Sequence, residues 1–294
     1  MTRYLGYADI DGAYPGHPLE VEPWTNLYIA WSFVGYFKSS GETIDQWLPR
    51  MVNCVDRAVF LGFKIYVGLD MGRKWANHPD DFSTRKTTVR RILTALAPYR
   101  ASVVAIDVSD EMCPDKETAK AWYVKVRDVM ADLGYGSIPI GMTFTATQAT
   151  QEDIITIPLA SSAGVLKGPD FVTLELYAGP GGKNLGETAN MDFIRRNIDA
   201  SVARIDPRIK VAFWLQGFNR NGVFVGEDEL ATLNKQSYKF ARDKHHSDGE
   251  PLNPSLFLIF CWARQTGPGK VGSKWLPAVQ KKHKWIATDM GVIA

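Results

Sequence analysis

Eight short apolar segments recur along this chain at roughly 30-residue intervals, about the length of one strand-and-helix unit. They are Tyr4–Ile10, Asn26–Phe33, Lys64–Asp70, Val103–Asp110, Ile138–Thr145, Phe171–Tyr177, Lys210–Gln216 and Leu256–Trp262. Runs that are apolar on both faces read as parallel strands covered on both sides. Helical patterns separate most of them. From Thr43 to Leu61, Ile44, Trp47, Leu48, Met51, Val55, Ala58 and Val59 follow a helical period, and Gly62 stops it. Thr84–Tyr99, Lys116–Leu133, Met191–Ile205, Asp228–His245 and Ser273–Ala287 are expected to be the other helices. A Pro/Gly-rich loop follows the first strand, and Ala146–Gly168 is less regular, with room for a helix near Glu152–Ile157. Strand–helix alternation demands parallel strands joined by right-handed crossovers. Eight such units in 294 residues predict the α/β class and one closed (β/α)8 TIM barrel spanning residues 1–294. Such barrels take about 250 residues. No GxGxxG or GxxxxGK[ST] pattern follows any strand, which argues against a nucleotide fold.

The remaining composition narrows the classes of function. Net charge is +2 with both signs interspersed, so no electrostatic partner such as nucleic acid or an anionic membrane is expected. The run Lys281-Lys282-His283-Lys284 reads as a solvated helix face. No stretch approaches the ~18 consecutive apolar residues of a membrane span. The first residues lack the long apolar region of a signal peptide. Three cysteines, Cys54, Cys113 and Cys261, make no disulfide framework. Cys54 and Cys261 are expected to be core thiols, and Cys113 a loop cysteine.

In a parallel barrel every strand's carboxyl end faces one side, where such folds keep their chemistry. The most informative strand is Val103-Val-Ala-Ile-Asp-Val-Ser-Asp-Glu111, apolar until it ends in acids. Side chains alternate, so Asp107, Ser109 and Glu111 share a face; an acidic helix N-cap at Asp110 or Glu111 is the plain alternative. The other ends bring Asp9, Trp31, Asp70, Thr143, Thr145, Glu175, Tyr177, Trp214, Gln216 and Trp262. Acids and aromatics with amides and hydroxyls between them suit a sugar. One carboxyl protonates the leaving oxygen, and a second attacks the anomeric carbon or activates water. Aromatic rings stack on pyranose faces. None of the five histidines (His17, His78, His245, His246, His283) falls in an expected strand. A metal centre is therefore not expected, and no cofactor is called for. Lys64 and Lys210 stand at strand starts, the wrong end for a Schiff base.

Val103–Glu111 followed by Trp122-Tyr-Val-Lys-Val-Arg127 resembles the fourth-strand region of the large clan of retaining (β/α)8-barrel glycoside hydrolases. There an Asn-Glu pair ends the strand and the Glu is the acid/base; here the pair is Asp110-Glu111. Phe171–Tyr177 resembles that clan's sixth strand, with Glu175 in the place of its His. Trp262 resembles its substrate-platform tryptophan. One departure stands out. The clan's nucleophile Glu ends the seventh strand, where this chain has Trp214-Leu215-Gln216-Gly217. An amide cannot form the usual glycosyl ester.

The resemblance implies an enzyme cleaving an oligo- or polysaccharide. Glu111 is the expected general acid/base and Glu175 the nucleophile or base. Asp9, Asp70, Asp107, Asp110 and Gln216 are expected to meet sugar hydroxyls. Trp31, Tyr177, Trp214 and Trp262 are expected to wall the subsites, with Trp75 capping the cleft. Three alternatives stay open. The barrel can bind a carbohydrate without cleaving it. It can resemble chitinase-like enzymes, whose substrate acetamido group attacks; Asp107 and Glu111 fit part of their Asp-x-x-Asp-x-Asp-x-Glu pattern, and Val104 and Ser109 break it. Finally, Gly267-Pro-Gly269-Lys270 is compatible with a phosphate loop, or with a plain turn.

Overall fold

All eight apolar segments form strands, and the strands close on themselves. The structure, a computed structural model, describes residues 2–8, 22–31, 43–69, 82–108, 116–144, 169–179, 183–220, 227–260 and 270–293. The barrel runs β1 (Tyr4–Ala8), β2 (Leu27–Trp31), β3 (Lys64–Gly68), β4 (Val103–Asp107), β5 (Ile140–Phe144), β6 (Phe171–Leu176), β7 (Lys210–Gln216) and β9 (Leu256–Phe260). Every neighbouring pair is parallel, and β9 returns to β1 through the register Tyr4↔Leu256 to Ala8↔Phe260. The single-barrel expectation holds.

Alternation along each strand builds two apolar layers. On β7, Val211, Phe213 and Leu215 pack beneath the helices, and Ala212 and Trp214 face the lumen. Tyr66, Ala105, Phe171 and Leu258 point into the same lumen from four other strands. The interior is thus filled by side chains, as expected of a barrel this narrow.

Six α-helices are described: α1 (Ile44–Phe60), α2 (Phe82–Ala95), α3 (Lys116–Asp132), α4 (Glu187–Val202), α5 (Glu227–Arg242) and α6 (Pro277–Asp289). At the start of α1 the Thr43 hydroxyl accepts from the Gln46 N–H, and the Gln46 side chain accepts from the Thr43 N–H at 2.9 Å. This reciprocal cap satisfies two otherwise orphaned donors. The helix ends at Gly62, whose φ of +86° only glycine adopts freely. Cys54 is buried on α1, as expected; Cys113, Cys261 and the segment Glu152–Ile157 lie outside the described residues.

Three features depart from expectation. Helix α4 begins at Glu187, four residues before Met191, because its first three residues, Glu187, Thr188 and Ala189, are exposed and carry no large apolar side chain. A two-stranded antiparallel sheet joins the loops after β7 and β9: β8 (Phe218–Arg220) pairs with β10 (Lys270–Gly272). The lysine run is not one solvated face. His283 is fully buried, its Nδ1 2.7 Å from the Tyr7 hydroxyl, and Lys284 lies over the Trp24 ring at 4.2 Å. Among the described residues, no helix is long and apolar enough to cross a membrane.

Candidate active site

The described part of the barrel mouth is built from the ends of β3 to β7. On β4, Ala105 and Asp107 face the lumen beside Tyr66 of β3, after a register shift at Ile65/Tyr66. Asp107 is 1% exposed. Its Oδ2 accepts hydrogen bonds from the Tyr66 hydroxyl and from Thr143 Oγ1, the latter at 2.5 Å. Thr143 Oγ1 in turn accepts from Trp214 Nε1 at 3.2 Å. Two O–H donors converging on one oxygen suit an ionised carboxylate. Burial, and then the negative charge of Asp107, hold the Tyr66 phenol protonated, well above its ordinary range. A donor chain therefore crosses the lumen from β7 through β5 to a fixed anion on β4.

Glu175 lies on β6 in register with Trp214. Since Phe171 and Trp214 belong to the lumen cluster, alternation puts Thr173 and Glu175 on the same inner face. Glu175 is 5% exposed. Among the described residues two carboxyl groups are thus buried, Asp107 and Glu175, on strands separated by β5.

An aromatic ladder continues from this point. Tyr66 meets Trp214 edge to face at 6.5 Å, Trp214 meets Phe260 at 6.4 Å, Phe260 meets Phe218 at 5.9 Å, and Phe218 meets Tyr177 at 5.5 Å. Each crossing lies within 6° of perpendicular, the favoured arrangement for ring quadrupoles. Trp214 is 3% exposed, so both its faces belong to the packing. Tyr177 is also buried. Gln216 bonds the main chain at both ends of its amide. Its Oε1 accepts from the Ala178 N–H at 3.0 Å, and its Nε2 donates to the Phe218 carbonyl at 3.1 Å.

Of the sequence-predicted residues, then, the structure brings Asp107, Glu175, Tyr177, Trp214 and Gln216 to one end of the lumen. Asp9, Asp70, Asp110, Glu111, Trp262, Trp75 and Gly267–Gly269 lie outside the described residues, and only the backbone of Trp31 is described. Tyr66 and Phe218 were not anticipated. Tyr66 is detectable only through the register of β3 against β4, and Phe218 only through the β8–β10 pairing. The groove of ≈ 490 Å³ between α4 and α5, lined by Glu187, Asp192, Arg195 and Lys239 among others, belongs to the helix layer and includes no strand end.

No protein-family model matches the chain, and no curated protein does. Solved structures do. The GH5_18 protein of Streptomyces cattleya, in complex with GlcNAc, superposes with a TM-score of 0.69 at 12% identity, covering 100% of this chain and 81% of that one. A GH5-4 broad-specificity endoglucanase from an uncultured bovine rumen ciliate gives 0.65 at 10% identity, covering 96% and 87%. The endo-β-1,4-mannanase of Thermotoga petrophila gives 0.62 at 12% identity, covering 98% and 77%. At these identities the likeness is one of fold: the chain shares the closed (β/α)8 architecture of those proteins over nearly its whole length.

Proposed function

We propose that this protein is a glycoside hydrolase acting on an oligo- or polysaccharide, with carboxyl groups alone supplying the acid/base chemistry. The observation that carries this reading is the inward placement of Glu175 at the carboxyl end of a closed barrel, on the lumen face shared with Asp107. Solved structures of the same fold, a mannanase and an endoglucanase, point the same way.

In this mechanism Glu111, which follows β4 in sequence, donates a proton to the glycosidic oxygen as the bond to the leaving group breaks. Glu175 attacks the anomeric carbon or draws a proton from water. Asp107, four residues earlier on β4, would supply the negative charge that favours the protonated form of the acid. Asp9, Asp70 and Asp110 orient hydroxyls, and Trp31 and Trp262 offer stacking faces. Trp214 and Tyr177 support the floor from within the aromatic ladder.

The test is release of reducing ends from a broad polysaccharide panel by wild type and Glu111→Gln, with NMR of the first-formed anomer on any substrate cleaved. Release by wild type alone is expected. Retention of configuration would assign Glu175 as nucleophile, and inversion as base. Equal release by both proteins would remove Glu111 from the mechanism.

A further inference from the structure

Gln216 occupies the strand end where the resembled clan keeps its nucleophile, and its surroundings explain why an amide stands there. Its Oε1 faces a donor, the Ala178 N–H, and its Nε2 faces an acceptor, the Phe218 carbonyl. An amide satisfies both at once, whereas a carboxylate sets a bare oxygen against the carbonyl. The joint is tied from further sides. The Gln216 carbonyl accepts from Asn234 Nδ2 of α5 at 2.9 Å. The Gly217 carbonyl accepts from Ser273 Oγ at 2.5 Å, and the Gly217 N–H donates to the Phe260 carbonyl at 2.6 Å. A Cβ on Gly217 would stand 2.5 Å from Ile259 and 2.7 Å from Ser273 Oγ, so only glycine fits.

From this we infer that Gln216 is a positioning residue. It clamps the chain leaving β6, at Ala178 beside Tyr177, to Phe218 of β8. It is not a disabled nucleophile, and a carboxylate restored there does not supply one. The bonding argument stands apart from the proposed activity; only the kinetic arm of its test rests on that activity.

Gln216→Glu gives a distinctive readout. Protonated, the introduced carboxyl mimics the amide, donating to Phe218 and accepting from Ala178. Ionised, it repels the Phe218 carbonyl in a buried site. Its folded pKa is therefore raised above the unfolded carboxylate range near 4.3, and stability is lost as pH rises from that range through the folded pKa. Glu175 and Tyr177 of the β6 end are the titratable groups described beside it, and a negative charge at Glu175 acts in the same direction. Arg220 and Lys270 stand opposite each other in the β8–β10 backbone register, two positions from Phe218↔Gly272. Lys235, next to Asn234 on α5, lies over Trp285.

The experiment is thermal unfolding of wild type, Gln216→Glu and Gln216→Met at pH 5 and pH 8. The gap between wild type and Gln216→Glu is expected to widen towards pH 8, by about 2–4 °C per pH unit crossed. The gap for Gln216→Met should be the same at both values. Folding of Gln216→Glu at pH 5 and not at pH 8 gives the same answer. A constant gap for Gln216→Glu overturns the inference. If that variant folds at neither pH, a Gln216→Met melting point within a degree of wild type overturns it. On any substrate the wild type cleaves, Gln216→Glu should be slower, with its rate relative to wild type falling over the same pH range. A faster rate would identify a nucleophile position and contradict the clamp.

Discussion

A carboxylate taken out of water is costly unless donors meet it, and Asp107 is met by two hydroxyls that converge on one of its oxygens. The three side chains act as a unit, with Trp214 steering Thr143 from the far side. Tyr66→Phe removes one donor while keeping the ring in the ladder, and should cost about 1–3 kcal/mol, measured by urea unfolding. In a cycle with Asp107→Asn the two losses should not add. A sum matching the double variant to within about 0.5 kcal/mol would show that the bond contributes nothing as a pair. At this scale the sequence is half legible. Strand alternation is enough to bring Asp107, Thr143, Glu175, Trp214 and Gln216 to the mouth, because a period of two needs no tertiary information. Their roles are not legible. Whether an aromatic stacks on a sugar or packs on another ring depends on what lies across the lumen. Trp214 was expected as a subsite wall and sits inside the packing. Tyr66 escaped notice because a register shift between β3 and β4 decides which residue meets Asp107.

Among the elements, α6 carries a titratable group that its pattern conceals. His283 lies within a lysine run, yet it is buried against β1 beside Tyr7, whose oxygen also accepts from Trp24 Nε1 at 3.5 Å. The ring edge meets Tyr7 at 5.5 Å. Burial holds His283 down at about 3, against an ordinary value of 6.5, and raises the Tyr7 phenol. The unfolded chain takes up this proton below 6.5 and the folded chain does not. Stability is therefore complete above that value and falls as pH drops from 6.5 towards 3, at about 1.4 kcal/mol per pH unit. By pH 5 the loss should reach about 2 kcal/mol. His283→Leu should flatten this part of the stability curve in chemical denaturation. An unchanged acid slope in that variant would show that other groups set it. The helices themselves were legible wherever an apolar stripe runs with a cap or a glycine stop, as from Thr43 to Gly62. The start of α4 and the β8–β10 pair were not. The first lacks large apolar side chains in its first three residues, and the second is two three-residue strands separated by α5 and β9, a non-local pairing that no local pattern announces.

For the molecule as a whole, the count and spacing of apolar strands settle the architecture, since eight parallel units of this length have one compact way to cover both faces of every strand. In the proposed reading a smaller set carries the chemistry: Asp107 at the end of β4, Glu175 facing inward from β6, and Gln216 of β7 as a positioning amide. The most direct test of this account is the rate of reducing-end release by Glu175→Gln beside wild type, with both confirmed folded by circular dichroism. The account predicts release by wild type and a loss of at least about a thousandfold in the variant. Undiminished release by Glu175→Gln would contradict it.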